Sequence, residues 1–255
     1  MAEHEAMRTV VLLRGLMREA RHWGDFAAQL QQALARPVVA PDLAGNGQRW
    51  RATSPLTISA MVEDLRTQLG AAPHPYLLVA LSLGGMVALS WAQRYPQEVA
   101  GLVVINSSAR PLSPLWQRLR PGSWPALLAQ GLHPAAHREQ GIWQLTSNRP
   151  PDPAVVACWQ HWANECPVSV GNGVRQLWAA SRYRVLEGPR QPMLVLTSRG
   201  DRLVDWRCSN ALASRCGAAL QVHPDAGHDL PLDDGRWCVG HIADWWQLSQ
   251  PCPAV

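Results

Sequence analysis

Short runs of β-branched and leucine residues recur along this chain, and most of them are continuous rather than alternating. Strands that are covered on both faces of a parallel sheet have this pattern, because every side chain is then buried. The sequence therefore predicts strands over residues 9–13, 37–40, 76–81, 101–105, 193–197 and 219–222.

Helical patterns lie between these strands. The apolar residues of segment 57–70 recur at helical spacing on one face: Ile58, Met61, Val62, Leu65 and Leu69. We expect Thr57 to cap the start of this helix and Gly70 to end it in a left-handed conformation. Segments 23–34 and 83–95 are also predicted to be helical. This alternation of strands and helices predicts a doubly wound, mostly parallel α/β sheet.

The alternation stops between residues 109 and 190, where proline, tryptophan and arginine are frequent and no clear strand-like run occurs. An insertion after the fourth strand lies over the carboxyl ends of the strands, where open α/β sheets bind ligands. We therefore expect one domain with a core of residues 1–108 and 191–255 and an inserted helical cap, residues 109–190. Six of the 13 tryptophans fall in this cap: Trp116, Trp124, Trp143, Trp159, Trp162 and Trp178.

The composition narrows the function classes. The 255 residues are 47% hydrophobic and 16% charged, which suits a globular protein with one large core. All 23 basic residues are arginine, but they are scattered, so the net charge of +4 predicts neither a nucleic-acid site nor an anionic-membrane patch. The first apolar stretch is too short for a signal peptide, and no run approaches the roughly 20 residues that span a bilayer. We expect a cytoplasmic protein with no membrane span.

Cysteines and glycines give no sign of a metal or a cofactor. The six cysteines show neither CxxC nor Cys/His ligand spacing, so we expect free thiols and no metal site. A disulfide between Cys158 and Cys166, or between Cys208 and Cys216, is the alternative if the protein is exported. The glycines of loop 41–49 match no phosphate-binding pattern, so no nucleotide cofactor is expected.

The sharpest local motif is ALSLGG, residues 80–85, between a predicted strand and a predicted helix. Small residues two positions before and after a serine allow the strained strand-to-helix turn that presents a nucleophile to a cleft. Gly84 meets this requirement, and Ala80 is the smallest choice after glycine. We therefore predict that Ser82 is a nucleophile.

A serine nucleophile requires a base, and a third group must hold that base. Asp201 follows the fifth strand in the sequence GDRLV, and His228 follows the sixth in DAGH. Both residues are therefore expected at the same edge of the sheet as Ser82. The chain order Ser, Asp, His is that of one of the recurring triad folds.

Other residues compete for these roles. Asp205 is an alternative acid, four residues after Asp201. Three other histidines are alternative bases: His22, His161 and His223. Asp225 and Asp229, which flank His228, are expected to cap loops or to be solvated.

With these motifs the chain resembles the α/β-hydrolase superfamily, and within it the cap-bearing serine hydrolases of carboxylesterase type. The resemblance runs from residue 9 to about residue 246. It implies Ser82 as the nucleophile, Asp201 as the acid and His228 as the base of an acyl-enzyme mechanism. It also implies an oxyanion hole formed by the backbone N–H groups of Leu16 and Leu83.

One position departs from the family pattern. Relatives usually carry His-Gly after the first strand, whereas this chain has Arg14 followed by Gly15. We expect Arg14 either to replace the hydrogen bonds of that histidine with a charged fork or to leave the oxyanion loop differently arranged. Arg18 and Arg21 either bind a substrate carboxylate or pair with local acids such as Glu19.

Four residues are candidates for substrate binding: Arg14, Arg18, Trp143 and Trp159. The tryptophans of the predicted cap either line an apolar acyl pocket or pack the cap against the sheet. The two interpretations differ in whether these rings face the cleft above Ser82.

The resemblance implies a hydrolase of small-molecule carboxylic esters that uses no cofactor or metal, as a monomer or a homodimer. Ser82 excludes haloalkane dehalogenases and epoxide hydrolases, which form an ester on an aspartate at this position. Ester-cleaving enzymes of biotin synthesis share the Ser-Leu-Gly-Gly sequence. Menaquinone-pathway enzymes share it too, but arginine usually follows where this chain has Met86. The alternatives are a carbon–carbon hydrolase or lyase of that type and a non-catalytic ligand-binding relative.

Overall fold

The computed structural model describes residues 7–70, 72–130 and 135–249. One sheet contains strands β1 (Thr9–Leu13), β2 (Val38–Val39), β3 (Tyr76–Leu81), β4 (Val99–Ile105), β5 (Met193–Ser198) and β6 (Ala219–His223). Their spatial order is β2-β1-β3-β4-β5-β6, and every neighbouring pair is parallel. The predicted α/β fold class is confirmed.

Helices connect the strands. In chain order the described helices are α1 (Phe26–Leu34), α2 (Ile58–Leu69), α3 (Leu83–Arg94), α4 (Leu115–Arg118), α5 (Trp124–Gln130), α6 (Ala135–Thr146), α7 (Pro153–Glu165), α8 (Val170–Arg182), α9 (Trp206–Cys216), α10 (Leu230–Asp233) and α11 (Gly235–Ser249). Helix α2 has the predicted ends. The hydroxyl of Thr57 accepts the N–H of Ala60 at 3.2 Å, and Gly70 ends the helix with a positive φ of 54°.

Three elements differ from the prediction. The helix expected over residues 23–34 begins only at Phe26, because a 3-10 turn over Ala20–Trp23 ends at Gly24, whose φ is 51°. Strand β2 is two residues long, and β6 is partly exposed because it lies at the edge of the sheet.

The central strands are buried on both faces, which explains their continuous apolar sequences. Val11 of β1 packs in a cluster that contains Leu65 of α2 and many side chains of α3. Its neighbour Val10 points to the opposite face and packs in a second cluster with Leu30 of α1 and Ile242 of α11. Because helices cover both faces, the loops at the carboxyl ends of the strands are the region left for a site.

The β4–β5 connection, residues 106–192, contains helices α4 to α8. Helix α8 begins at Ser169, whose hydroxyl accepts the N–H of Asn172 at 3.1 Å. Its polar face is the buried one, since Asn172 and Gln176 are enclosed whereas Val174 and Trp178 are more than half exposed. Polar groups enclosed in this way need partners, and those partners lie in the core loops near the strand ends.

The five cysteines in the described residues are unpaired, so neither the Cys158–Cys166 nor the Cys208–Cys216 disulfide forms. Burial raises the pKa of the Cys208 thiol to about 11, which keeps it protonated near neutral pH. In the same part of the chain, no helix is both long and apolar enough to cross a bilayer.

Candidate active site

Ser82 occupies a strained turn between β3 and α3. Its φ of 56° and ψ of −115° lie outside the regions that non-glycine residues usually adopt. Two hydrogen bonds hold the turn: the Ser82 N–H donates to the carbonyl of Ile105 at 2.8 Å, and the Ser107 hydroxyl donates to the Ser82 carbonyl at 2.7 Å. Strain of this kind persists only where the surroundings impose it, and it is common at functional sites.

The glycines after Ser82 are required by close backbone packing. A Cβ at position 84 would lie 2.8 Å from the carbonyl oxygen of Arg14, and one at position 85 would lie 2.8 Å from the Ser107 side chain. Neither position has room for a side chain. The motif recognised in the sequence therefore corresponds to a close contact between the start of α3 and the loop after β1.

His228 and Asp201 are hydrogen-bonded to each other. The Nδ1 atom of His228 lies 2.7 Å from Oδ2 of Asp201, and both side chains are buried. The other carboxylate oxygen of Asp201 accepts the N–H groups of Leu203 at 2.8 Å and Val204 at 2.9 Å. These three bonds fix the carboxylate and, through it, the orientation of the imidazole.

Asn106, which the sequence analysis did not single out, joins the loops of the site. Its Nδ2 donates to the His228 carbonyl at 2.9 Å. Its Oδ1 accepts from the Thr197 hydroxyl at 3.0 Å and from the Ser198 N–H at 3.1 Å. Asn106 directly follows β4 and is fully buried, so it connects the end of that strand to the end of β5 and to the His228 loop. An asparagine after a strand is too common to indicate this role in sequence.

The surroundings of His228 raise its pKa above the usual value of 6.5. Burial alone lowers the pKa because a buried site disfavours the imidazolium ion. The charge and hydrogen bond of Asp201 outweigh that effect, Asp229 adds to the rise, and Arg14 opposes it. His228 therefore binds a proton more readily than a free imidazole does.

The two expected oxyanion donors border Ser82. Leu83 is the first residue of α3, where the N–H groups have no acceptor within the helix. Leu16 follows Gly15, and a Cβ at position 15 would lie 3.8 Å from Oγ of Ser82. The loop after β1 therefore passes directly beside the serine hydroxyl, with Leu16 next along it.

Gln176 of α8 holds this loop from the β4–β5 connection. Its Oε1 accepts the N–H of Met17 at 2.9 Å, next to Leu16. Its Nε2 donates to Asn46 Oδ1 at 2.8 Å and to the Ser54 hydroxyl at 3.0 Å. Gln176 is fully buried, and its contact with Met17 joins residues 159 positions apart. Gln176 gives no signal in the sequence, because nothing in a helical sequence shows which loop a side chain contacts.

Arg14 is buried against Asp229. Its Nη1 donates to Oδ1 at 3.2 Å and its Nη2 to Oδ2 at 2.5 Å, and the side chains are only 4% and 5% exposed. The guanidinium lies 4.7 Å from the centre of the Trp23 ring, and its Nε is buried without a hydrogen-bond partner. The expectation that Asp229 is solvated is therefore wrong, and although Asp229 lies at the N-cap position of α10, its side chain makes no capping hydrogen bond. Both Nη atoms of Arg14 bond to Asp229.

Arg18 and Arg21 both pair with acids. Nη1 of Arg18 donates to Oε2 of Glu139 in α6 at 2.7 Å, while its Nη2 is buried without a partner. Arg21 forms ion pairs with Glu19 and Glu165. Both arginines pair with acids, as one of the two expectations had it, but Glu19 is local in the chain whereas Glu139 and Glu165 are more than 100 residues away.

Trp143 and Trp159 pack against each other, with ring centres 5.2 Å apart, in a cluster of the β4–β5 connection. The Trp143 N–H donates to the carbonyl of Arg149 at 3.0 Å. Trp159 lies under the Arg18 guanidinium, 4.1 Å from its ring centre. The packing interpretation therefore describes both rings. A cleft of about 760 Å³, lined in part by Trp116, lies beside the Asp201 loop, and Ser82 is not among its lining residues.

The rival residues lie in other environments. Asp205 caps α9 by accepting the N–H of Arg207 at 2.9 Å. His161 is exposed, and the ring of His223 accepts the N–H of Ala226 at 3.0 Å. Burial and the nearby arginines hold the pKa of His22 well below 6.5. Of these histidines, His228 is the one bonded to Asp201.

Comparison with known proteins gives the family. A model of the Alpha/beta hydrolase family matches residues 10–240. The chain therefore belongs to the α/β-hydrolase family, as its motifs implied.

Relatives span different shares of the chain. Pimeloyl-[acyl-carrier protein] methyl ester esterase of Aromatoleum aromaticum is 29% identical over 250 residues, which cover 92% of this chain and 96% of the relative. The protein of the same name from Sodalis glossinidius is 36% identical over 142 residues, which cover 56% of this chain and only 50% of the relative. The crystal structure of the enol-lactonase from Burkholderia xenovorans LB400 superposes with a TM-score of 0.78 at 17% identity, covering 96% of this chain and 94% of that one. This last likeness concerns the fold alone.

Proposed function

We propose that this protein is a serine hydrolase that cleaves carboxylic esters through an acyl-enzyme on Ser82. His228 is the general base, and Asp201 orients it. The observation that carries the proposal is the combination of a strained serine at a strand-to-helix turn with a buried His228–Asp201 pair 2.7 Å apart. The two relatives named as methyl ester esterases support the ester class.

In the first step the Ser82 hydroxyl attacks the ester carbonyl while Nε2 of His228 takes its proton. The tetrahedral intermediate collapses, the alcohol leaves with that proton, and the acyl group stays on Ser82. A water molecule, activated by His228, then attacks the acyl-enzyme and releases the acid. Asp201 stabilises the imidazolium that forms in both halves, because its carboxylate lies against Nδ1.

The developing oxyanion is stabilised by the backbone N–H groups of Leu83 and Leu16. Donors of this kind act on charge that appears only in the transition state, so each one contributes about 2.7–4 kcal/mol to catalysis. Leu83 is held by α3 and Leu16 by the loop that Gln176 anchors. The hole therefore depends on both the core and the β4–β5 connection.

We also propose that residues 109–190 form a helical cap over this site, in a single domain. Three contacts support the proposal: Gln176 bonds Met17, Glu139 bonds Arg18, and the N–H of Asp229 donates to the carbonyl of Thr146 at 2.8 Å. Each contact joins the connection to a loop at the carboxyl end of a core strand.

Replacing Ser82 tests the mechanism. Hydrolysis of p-nitrophenyl butyrate is measured for the wild type and for Ser82→Ala, and we expect kcat to fall by at least about 10³-fold because no other group supplies the nucleophile. Ser90→Ala is the matched control, since Ser90 is a buried serine two turns further along the same helix. Its turnover should stay within about twofold of the wild type. Equal hydrolysis by wild type and Ser82→Ala would refute the mechanism.

A fluorophosphonate probe separates the catalytic and the binding interpretations. It should label Ser82 in the wild type, identified by mass spectrometry of the labelled peptide, and should label no serine in Ser82→Ala. A protein that binds short esters but neither reacts with the probe nor turns them over would be a non-catalytic relative. Turnover of p-nitrophenyl esters of increasing acyl length then shows whether the site accepts short or long chains.

A further inference from the structure

The arginine at position 14 has a partner that the sequence pattern did not reveal. Arg14 and Asp229 are 215 positions apart in the chain, yet they form a two-bonded ion pair with both side chains buried. Each of the two guanidinium Nη atoms meets its own carboxylate oxygen. This fork geometry constrains direction as well as distance, which a lysine or histidine would not reproduce.

The pair joins the loop after β1, which carries the expected oxyanion donor Leu16, to the loop that carries His228. Arg14 directly precedes Gly15, where a Cβ would lie 3.8 Å from Oγ of Ser82, and Leu16 is the next residue. Asp229 directly follows His228, and its own N–H is held by the carbonyl of Thr146 at 2.8 Å. A shift of Arg14 relative to Asp229 would therefore change the position of the base relative to the oxyanion donors.

We propose that the Arg14–Asp229 ion pair is the positioning device of this site, which locks the oxyanion loop to the histidine loop. Both are positioning residues, because they act through Leu16 and His228. The inference deepens the proposed function and rests on it.

Burial explains why the two residues act as a unit. A buried pair that loses one partner leaves an uncompensated charge, which the surrounding structure must rearrange to solvate. Here that rearrangement occurs beside the base. Neutralising both residues removes the charges together, so it disturbs the loops less than either single change does.

The pair also sets the electrostatic balance at His228. The charged groups that face this imidazole are Asp201, Asp229 and Arg14. Arg14 disfavours the imidazolium and Asp229 favours it, so the two effects oppose each other. Arg14→Gln should therefore raise the pKa of His228, and Asp229→Asn should lower it.

The test measures kcat/KM for p-nitrophenyl butyrate against pH in Arg14→Gln, Asp229→Asn and the double variant. We expect each single variant to lose about 10- to 100-fold at the optimum, as small misplacements of reacting groups do. The acidic limb of the profile should move to higher pH in Arg14→Gln and to lower pH in Asp229→Asn. In the double variant the limb should return towards that of the wild type, with kcat/KM above that of either single variant.

Arg14→Lys tests the fork itself. It keeps the charge but loses the two-bonded geometry, so the limb should stay in place while kcat falls. Arg66→Gln is the matched control, because it breaks the ion pair of Arg66 with Glu98, 2.6 Å apart, outside the site. It should leave both kcat/KM and the limb unchanged.

Two results would overturn the proposal while leaving the proposed function intact. One is that both single variants keep the kcat/KM of the wild type and an unmoved acidic limb, while Ser82→Ala is inactive. The other is an equal loss in both variants with limbs that move together, which indicates a merely structural pair. If the wild type itself has no Ser82-dependent turnover, the proposed function fails first. In that case the Tm values of the single and double variants test the ion pair. A double variant with a Tm no higher than that of either single variant refutes the proposal.

Discussion

The contact between Gln176 and the oxyanion loop predicts that a residue of α8 controls catalysis without touching the substrate. Gln176→Met keeps the length and most of the volume of the side chain but removes its three hydrogen bonds. The N–H of Met17 then loses its acceptor. Because Leu16 is the adjacent residue, its amide is free to turn away from the oxyanion.

The structure sets the size of the effect. Three hydrogen bonds at about 1 kcal/mol each give a loss of about 3 kcal/mol in the free energy of unfolding. At about 2–4 °C per kcal/mol for a chain of this length, Tm should fall by about 6–12 °C. Complete loss of one oxyanion donor lowers kcat by about 10²- to 10³-fold. Since the Leu16 amide is displaced and not removed, we expect about a 10- to 100-fold decrease in kcat.

Asn172→Leu is the matched control on the same helix. Asn172 accepts the N–H of Ser54 at 2.9 Å and donates to the carbonyl of Ala52 at 3.0 Å, but it makes no hydrogen bond to the loop after β1. Its loss should lower Tm by about 4–8 °C for two bonds while kcat stays within about threefold.

The assay is steady-state hydrolysis of p-nitrophenyl butyrate, well below the Tm of both variants, with Tm measured by differential scanning fluorimetry. A Gln176→Met protein with wild-type kcat would show that the oxyanion loop holds its shape without α8. Equal decreases in kcat for Gln176→Met and Asn172→Leu would attribute the effect to general loosening of α8. Either result refutes the reasoning.

Two further predictions concern the acid and the turn at the nucleophile. Asp201→Asn should lower kcat by about 10⁴-fold, because the amide favours the wrong tautomer of His228. Asp205→Asn should leave kcat within about twofold. The kcat of the two variants for p-nitrophenyl butyrate therefore decides which aspartate is the acid. Gly84→Ala should lower the free energy of unfolding, measured by urea titration, by about 1–3 kcal/mol, since its Cβ meets the Arg14 carbonyl oxygen. In the same measurement Gly240→Ala in α11 should be neutral or stabilising, because the space at its Cβ is open.

The local parts of the site could be predicted from sequence because each depends on a few neighbouring residues. A strained serine turn needs small residues at fixed offsets, and the sequence shows them around Ser82. Asp201 and His228 follow strands, and parallel strands end at one edge of a sheet, so their proximity follows from the order of elements. The Thr57 cap and the Gly70 end of α2 are likewise local.

Predictions were wrong or incomplete where a residue's role depends on a distant partner. The prediction for Asp229 uses only its neighbours in the loop, but its environment is set by Arg14, which lies 215 positions away in the chain. Gln176 and Asn106 are ordinary polar residues in sequence. The predicted helix start at residue 23 is wrong. The helix begins at Phe26, because the 3-10 turn that ends at Gly24 competes with helical spacing.

The sequence by itself determined the parallel α/β sheet, its element order and the placement of Ser82, Asp201 and His228 after strands, because hydrophobic period, turn chemistry and motif spacing act over short distances. Only the tertiary structure decided how the loop after β1 is held, to the His228 loop through Arg14 with Asp229 and to α8 through Gln176 with Met17. Buried polar groups must find partners, and the fold alone determines which partners come within reach. In this protein those partners lie more than 150 residues away in the chain.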